Sequence, residues 1–182
     1  NEFALASRLS YFLWSTMPDD ELLELAEQGK LREPEVLTAQ VKRMLADPRS
    51  RRFSQNFVEQ WLGLDRMSSV THITDNSLRE SMQEEPIAFF EEVLKHNHSV
   101  MDFIHSDYAV VNERLAAHYR IPKVYGPQFR KVTIAHEANR GGLLTGAAIM
   151  AMNSDGSSRR TSMPSSTTPS SVRSSSARIK LP

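Results

Sequence analysis

Ala6-Ser7-Arg8-Leu9-Ser10-Tyr11-Phe12-Leu13-Trp14-Ser15-Thr16-Met17-Pro18-Asp19-Asp20-Glu21-Leu22 is the stretch that decides the fold class. Leu5, Leu9, Phe12 and Leu13 recur at helical spacing, which predicts a helix over about residues 3–15. Tyr11 and Trp14 widen its apolar surface beyond one stripe, so this helix is expected to be central and buried. Pro18 is a hard stop, suited to the first position of the next helix, where its missing N–H costs nothing. Asp19, Asp20 and Glu21 then meet the positive end of that helix's dipole.

Working outward, the same grammar repeats. Leu22, Leu23, Leu25 and Ala26 give the second helix its buried face, and Gly29 is its stop. Pro34 opens a third helix with the stripe Val36, Leu37, Val41, Met44 and Leu45. Asp47-Pro48 closes it and caps the fourth, on which Phe53, Phe57 and Trp61 fall at i, i+4 and i+8. Those rings, with Leu62, are the expected core, and Gly63 ends the helix. Residues 64–75 read as a loop. Ser77-x-x-Glu80 suggests a capping box for a long fifth helix to about residue 96, which Pro86 should kink or split. Ser99 is expected to cap a short helix through Ile104, and Asn112 another over Glu113–Tyr119. Phe129–Ile134 alternates like a short strand, and Arg140-Gly141-Gly142 reads as a tight turn. The apolar run Leu143–Met152 fits helix or strand by periodicity alone.

A hydrophobic fraction of 40% over 182 residues supports a real core. The net charge of +0 hides an asymmetry: residues 1–155 carry −5, residues 156–182 carry +5. A mildly acidic body has no general attraction for nucleic acid or anionic lipid. No cysteine is present, which removes disulfides, thiolate metal sites, cysteine nucleophiles and covalent c-type haem attachment from this stretch. No run is long and apolar enough to span a bilayer. The chain opens on Asn1 in a sequence that reads as mid-helix, so it is expected to be an excised or partial piece. From Asn153 onward 11 Ser and three Thr displace the large apolar residues, and this tail is expected to be disordered. Its Arg159, Arg160, Arg173, Arg178 and Lys180 have no interleaved aromatic ring for base stacking, so no nucleic-acid partner is expected.

Six histidines make metal chemistry worth testing. His96-x-His98 is the one close pair, with Glu92 one turn earlier; two imidazoles and a carboxylate suit zinc or iron. Against it, residues two apart do not share a helix face, and histidine at a helix C-terminus already has a reason to be there in the dipole. His96 and His98 therefore stand as weak metal candidates, with no metal and no cofactor expected in this chain. The pairs Asp19-Asp20, Glu84-Glu85 and Glu91-Glu92 are better read as helix starts or solvated faces than as acid/base dyads. Gly-x-Ser-x-Gly and Ser-x-x-Lys nucleophile motifs are missing, and Arg140–Gly146 lacks dinucleotide and phosphate-loop spacing. No catalytic residue is assigned.

The opening run resembles the start of a family of domains of unknown function found in very large planctomycete-type bacterial proteins. Four further blocks carry the resemblance: Val41–Ser50; Phe57–Leu64; Val111–Ala116; and His118–Pro122 with Tyr125-Gly126-Pro127. It implies one piece of a multi-domain protein, exported to the periplasm or cell envelope, with a cytochrome-c-like domain elsewhere. It implies no catalytic residues, because none is established for the family. Arg140–Leu144 looks like the start of a neighbouring second domain of unknown function. After about Asp155 the chain departs from the pattern, which suggests a frameshift or truncation near residue 157.

These readings give an all-α fold: an irregular helical bundle over 1–127, a short irregular or β-containing part over 128–155 that begins a truncated second domain, and a disordered basic tail over 156–182. Two function classes follow. One is a non-catalytic structural or interaction module, whose partners are other domains of the same polypeptide. The other is a hydrolytic or redox enzyme domain acting on an envelope or extracellular polymer. A catalytic domain should show a deep pocket with converging polar groups. A packing module should close Trp14, Phe57 and Trp61 into its core.

Overall fold

The computed structural model describes residues 1–134 and 141–153. The chain is mostly helical with one small antiparallel sheet. In order come α1 (Glu2–Trp14), α2 (Asp20–Glu27), α3 (Pro34–Ala46), a 3-10 turn over Pro48–Ser50 and α4 (Arg51–Leu62). A second 3-10 turn (Leu64–Ser69), α5 (Asn76–His96) and a third turn (Val100–Phe103) follow. The chain then runs through β1 (Tyr108–Val111), α6 (Glu113–Tyr119), β2 (Arg130–Thr133), a turn over Leu143–Thr145 and α7 (Ala147–Asn153). β1 and β2 pair antiparallel with Val110 opposite Lys131.

Most boundaries fall where local chemistry puts them. Asp19 caps α2 by accepting from the Leu22 N–H, and Asn112 caps α6 by accepting from Leu115. Ser99 caps the Val100–Phe103 turn through the Met101 N–H. Gly63 ends α4 with φ 62°, a left-handed value that a Cβ disfavours. Pro18 stands one residue before the Asp19 cap rather than inside α2. The cap of α5 is Asp75, which accepts from Leu78; the Ser77-x-x-Glu80 box does not form. Pro86 lies within an unbroken α5 and does not split it.

Two larger apolar clusters and a smaller one build the interior. Ala6, Leu13, Trp14, Leu22, Ala26, Leu31 and Met44 join α1, α2 and α3. Trp14 is its centre: fully buried, its Nε1 donates to the Met44 carbonyl at 2.9 Å. The Arg49 guanidinium lies 3.5 Å from its ring centroid, a cation–π contact. The main cluster gathers Val58, Leu64, Met67, Met82, Ile87, Phe90, Val111, Leu115 and Val124 around α5. The third joins Phe89 and Val93 of α5 to Tyr108 and Val110 of β1 and to Leu143. Phe53 packs against both of the larger clusters and is the side chain they share.

The run Leu143–Met152, left open between helix and strand, is helical, and Ala147, Ala148 and Ala151 of α7 enter the main cluster. Small side chains let that helix sit close to α5. Its first turn is held by a carboxylate: Glu85, 7% exposed, accepts from the Ala147 N–H at 3.1 Å and from the Tyr119 hydroxyl at 2.7 Å. Glu85 is thus not part of a solvated face, as its pairing with Glu84 suggested; Glu84 alone turns outward, to Arg51. The Gly141-Gly142 turn is tight as expected. A Cβ on Gly141 would stand 2.3 Å from the Ser106 carbonyl oxygen, so the backbones can meet only at glycine. The tail over 156–182, with its predicted disorder and frameshift, lies outside the described residues.

Two expectations about the core are corrected. α1 is not buried all round: Phe3, Tyr11 and Phe12 are exposed, and only Ala6, Ser10, Leu13 and Trp14 are buried. On α4, Phe57 is 44% and Trp61 50% exposed, while the buried positions are Ser54 and Val58. The helix turns the smaller Ser54 and Val58 inward, and of its rings Phe53 alone packs against both larger clusters. The bulky stripe therefore rides on the outer shoulder.

Candidate functional site

Two places combine chemistry with accessibility. The first is the aromatic shoulder. Phe12 of α1 meets Phe53 at 4.9 Å between ring centroids, and Phe53 meets Phe57 at 5.8 Å. Phe57 contacts Trp61 at 5.7 Å and Phe90 at 5.2 Å, and Trp61 contacts Phe103 edge-on at 5.7 Å. The rings form one connected ladder from α1 across α4 to the turn after α5. Phe90 and Phe53 root it in the core, whereas Phe12, Phe57 and Trp61 remain open to solvent. Val100, Met101 and Ile104, in and next to the turn that carries Phe103, are exposed as well. The i, i+4, i+8 spacing foretold the ring contacts on α4; it did not foretell which side of the helix they would occupy. The signal was Ser54-x-x-x-Val58, a second and smaller stripe on the same helix.

The second place is the C-terminal end of α5. Glu92 and His96 lie one turn apart, with His96 Nδ1 3.3 Å from Glu92 Oε2. The helix ends at Asn97, whose φ of 49° is left-handed. Asparagine tolerates that region, and the reversal is sealed by the His98 N–H donating to the Val93 carbonyl at 3.0 Å. The chain thereby folds back over its last turn, and His98 Nε2 comes to 3.3 Å from Glu92 Oε1. One nitrogen from each imidazole and one oxygen of Glu92 all lie within 4.8 Å of one another. The rule that residues two apart cannot share a helix face holds within a helix; His98 is beyond its end.

A fourth residue joins from another element. Lys131 of β2 brings its ammonium to 3.0 Å from His98 Nε2, 3.6 Å from Glu92 Oε1 and 3.9 Å from the centroid of the Tyr108 ring. Tyr108 donates its hydroxyl to Asp102 at 3.0 Å. Burial, with that carboxylate beside it, pushes the phenol well above its usual range, so the ring is neutral under all ordinary conditions. The sequence carried no sign of Lys131, because its approach depends on strand pairing across 20 intervening residues.

The acidic pairs diverge as expected of sequence neighbours. Asp19 is gripped by Arg43 at 2.7 Å, while Glu91 pairs with Arg51 and Lys95. The Arg43 hydrogen bond holds the Asp19 carboxyl below the usual carboxylate range, and bonding to Arg49 brings Asp47 down to about 2. The enclosed cavities beside Glu85 have volumes near 30 and 10 Å³, room for about one water. The larger hollows, such as the 750 Å³ groove lined by Glu59, Asp65, Glu80 and Glu84, are open troughs on the surface. Among the described residues no helix is long and apolar enough to cross a membrane.

No curated protein and no solved structure matches this sequence. A family model does match, over residues 1–121, which takes in α1 through α6, the aromatic ladder and the Glu92–His98 turn. The chain belongs to the family described as PSD4, protein of unknown function (DUF1592).

Proposed function

We propose that this chain is a non-catalytic interaction module whose aromatic shoulder docks an apolar face of another domain of the same, longer polypeptide. The observation that carries the reading is the ladder Phe12–Phe53–Phe57–Trp61–Phe103, already packed ring against ring in tilted and edge-on contacts yet open on its outer side. Exposed contiguous apolar surface is costly in water and marks sites of association. Rings fixed by their neighbours lose little further freedom on docking, which favours binding over an equally apolar but loose surface. The resemblance of the opening blocks to pieces of very large proteins supports a partner tethered to this domain. A tethered partner meets the shoulder at an effective concentration of about a millimolar, and a modest apolar face suffices to hold it.

The resemblance to planctomycete-type proteins supports a wider setting for this proposal: an exported, envelope-associated polypeptide with a cytochrome-c-like domain elsewhere. The hydrolytic or redox alternative draws no support from the enclosed cavities among the described residues, which hold about one water each. A photo-crosslinking benzophenone residue placed at position 61 of the natural polypeptide tests the reading. Intramolecular adducts to residues outside the 1–153 region are the expected result. Adducts to a second copy, or none above those of a control at the solvated position 27, would overturn it.

A further inference from the structure

We infer that Glu92, His96 and His98 form a binding site for a first-row divalent transition-metal ion of the zinc class, and that Lys131 is a built-in competitor occupying the cation's place. A tetrahedral zinc ion with bonds of about 2.0–2.1 Å sets its ligand atoms about 3.4 Å apart. His96 Nδ1 stands 3.3 Å from Glu92 Oε2 and His98 Nε2 3.3 Å from Glu92 Oε1, so each imidazole already lies at about ligand-to-ligand distance from the carboxylate, each on its own oxygen. Rotation of the exposed His96 ring, whose Nδ1 also lies 3.1 Å from the Glu92 carbonyl oxygen, brings both imidazoles to one carboxylate oxygen and closes the set. Two imidazoles and one carboxylate are a borderline-soft set, suited to Zn²⁺ and Co²⁺ rather than to Mg²⁺ or Ca²⁺, which take oxygen ligands.

Lys131 supplies the independent argument. An ammonium has only donors to offer, so at 3.0 Å it donates to His98 Nε2, and that nitrogen presents a lone pair. An imidazole lone pair, a carboxylate oxygen and the face of the Tyr108 ring thus converge on one positive charge. These groups come from α5, the turn after it, β1 and β2, so the convergence is a product of the fold and not of one helix end. The dipole of α5 accounts for a histidine at position 96; it does not account for His98 being folded back with its lone pair facing inward. A metal ion takes over Glu92 and His98, adds His96, and releases the Lys131 ammonium, whose side chain already reaches solvent. Water completes the coordination.

The test is titration of the 182-residue chain with Zn²⁺ by calorimetry and with Co²⁺ by visible absorption, with circular dichroism to confirm the fold of each variant. One equivalent of Zn²⁺ bound with Kd on the order of 1 μM or tighter, and a Co²⁺ spectrum of four-coordinate intensity, is expected. Glu92→Gln and the double variant His96→Ala/His98→Ala should each weaken binding by at least about tenfold. Lys131→Met, which removes the competitor and adds no strong ligand, should tighten it by about tenfold or more. Asn97→Gly, which keeps the left-handed turn, should bind as the parent does. Binding weaker than about 1 mM, or unchanged by the histidine double variant, overturns the site, and unchanged affinity in Lys131→Met overturns the competitor.

Discussion

At the scale of single residues, the two tryptophans carry opposite weights. Trp14 is fully buried, hydrogen-bonded through its indole N–H and covered by a guanidinium. Trp14→Ala should cost about 3–5 kcal/mol, the range for deleting a large buried ring. Trp61 is half exposed on the shoulder, and Trp61→Ala should cost about 1 kcal/mol or less in this chain. Urea denaturation of both variants checks the ranking, and a larger loss at Trp61 would mean that the shoulder is core after all. Sequence spacing alone assigned the greater weight to Trp61, because i, i+4, i+8 identifies a face without saying where it points. Trp14 was legible as part of a crowded apolar helix. Its hydrogen bond to Met44 across 30 residues was not, since no local pattern encodes a partner that distant.

At the scale of elements, helix boundaries were the most legible part of the chain, because capping is local chemistry. Asn112 before Glu113–Tyr119 and Ser99 before Val100–Phe103 both cap as their sequences suggested. β2 was also readable from alternation; its partner β1 was not, since Tyr108-Ala109-Val110-Val111 is apolar on both faces. The candidate metal site was half legible: Glu92, His96 and His98 stand in the sequence, but the αL turn that gathers them and the strand that brings Lys131 do not. The junction of α2 and α3 makes a pH prediction. Asp19, held by Arg43, lies below the ordinary carboxylate range, and Asp47, held by Arg49, is brought down to about 2. A depressed folded-state value stabilises the fold fully above the unfolded value and withdraws that stabilisation as pH falls through the folded one. The parent chain should therefore lose stability between about pH 5 and pH 2, and the double variant Asp19→Asn/Asp47→Asn should lose less over the same range while starting lower near neutrality. Thermal melts across that interval measure both.

At the scale of the whole molecule, two larger apolar clusters meet at one ring. Phe53 packs against both, and its ring lies 4.9 Å from that of the exposed Phe12 of α1 and 5.9 Å from that of Phe90 in the main cluster, between centroids. Phe53→Ala should lower stability by about 2–4 kcal/mol and broaden the unfolding transition, because the link between the clusters is lost. Coincident, sharp transitions by near-ultraviolet and far-ultraviolet circular dichroism in that variant would show that the clusters are coupled by other means. The contrast between the sealed and the open indole has a practical consequence. With only two tryptophans in the chain, an aqueous quencher such as iodide reaches one emitter and spares the other. The molecule thus carries a label-free optical gauge of its own shoulder: a blue shift and lost quenching when that face is covered, against a steady internal reference from the protected ring.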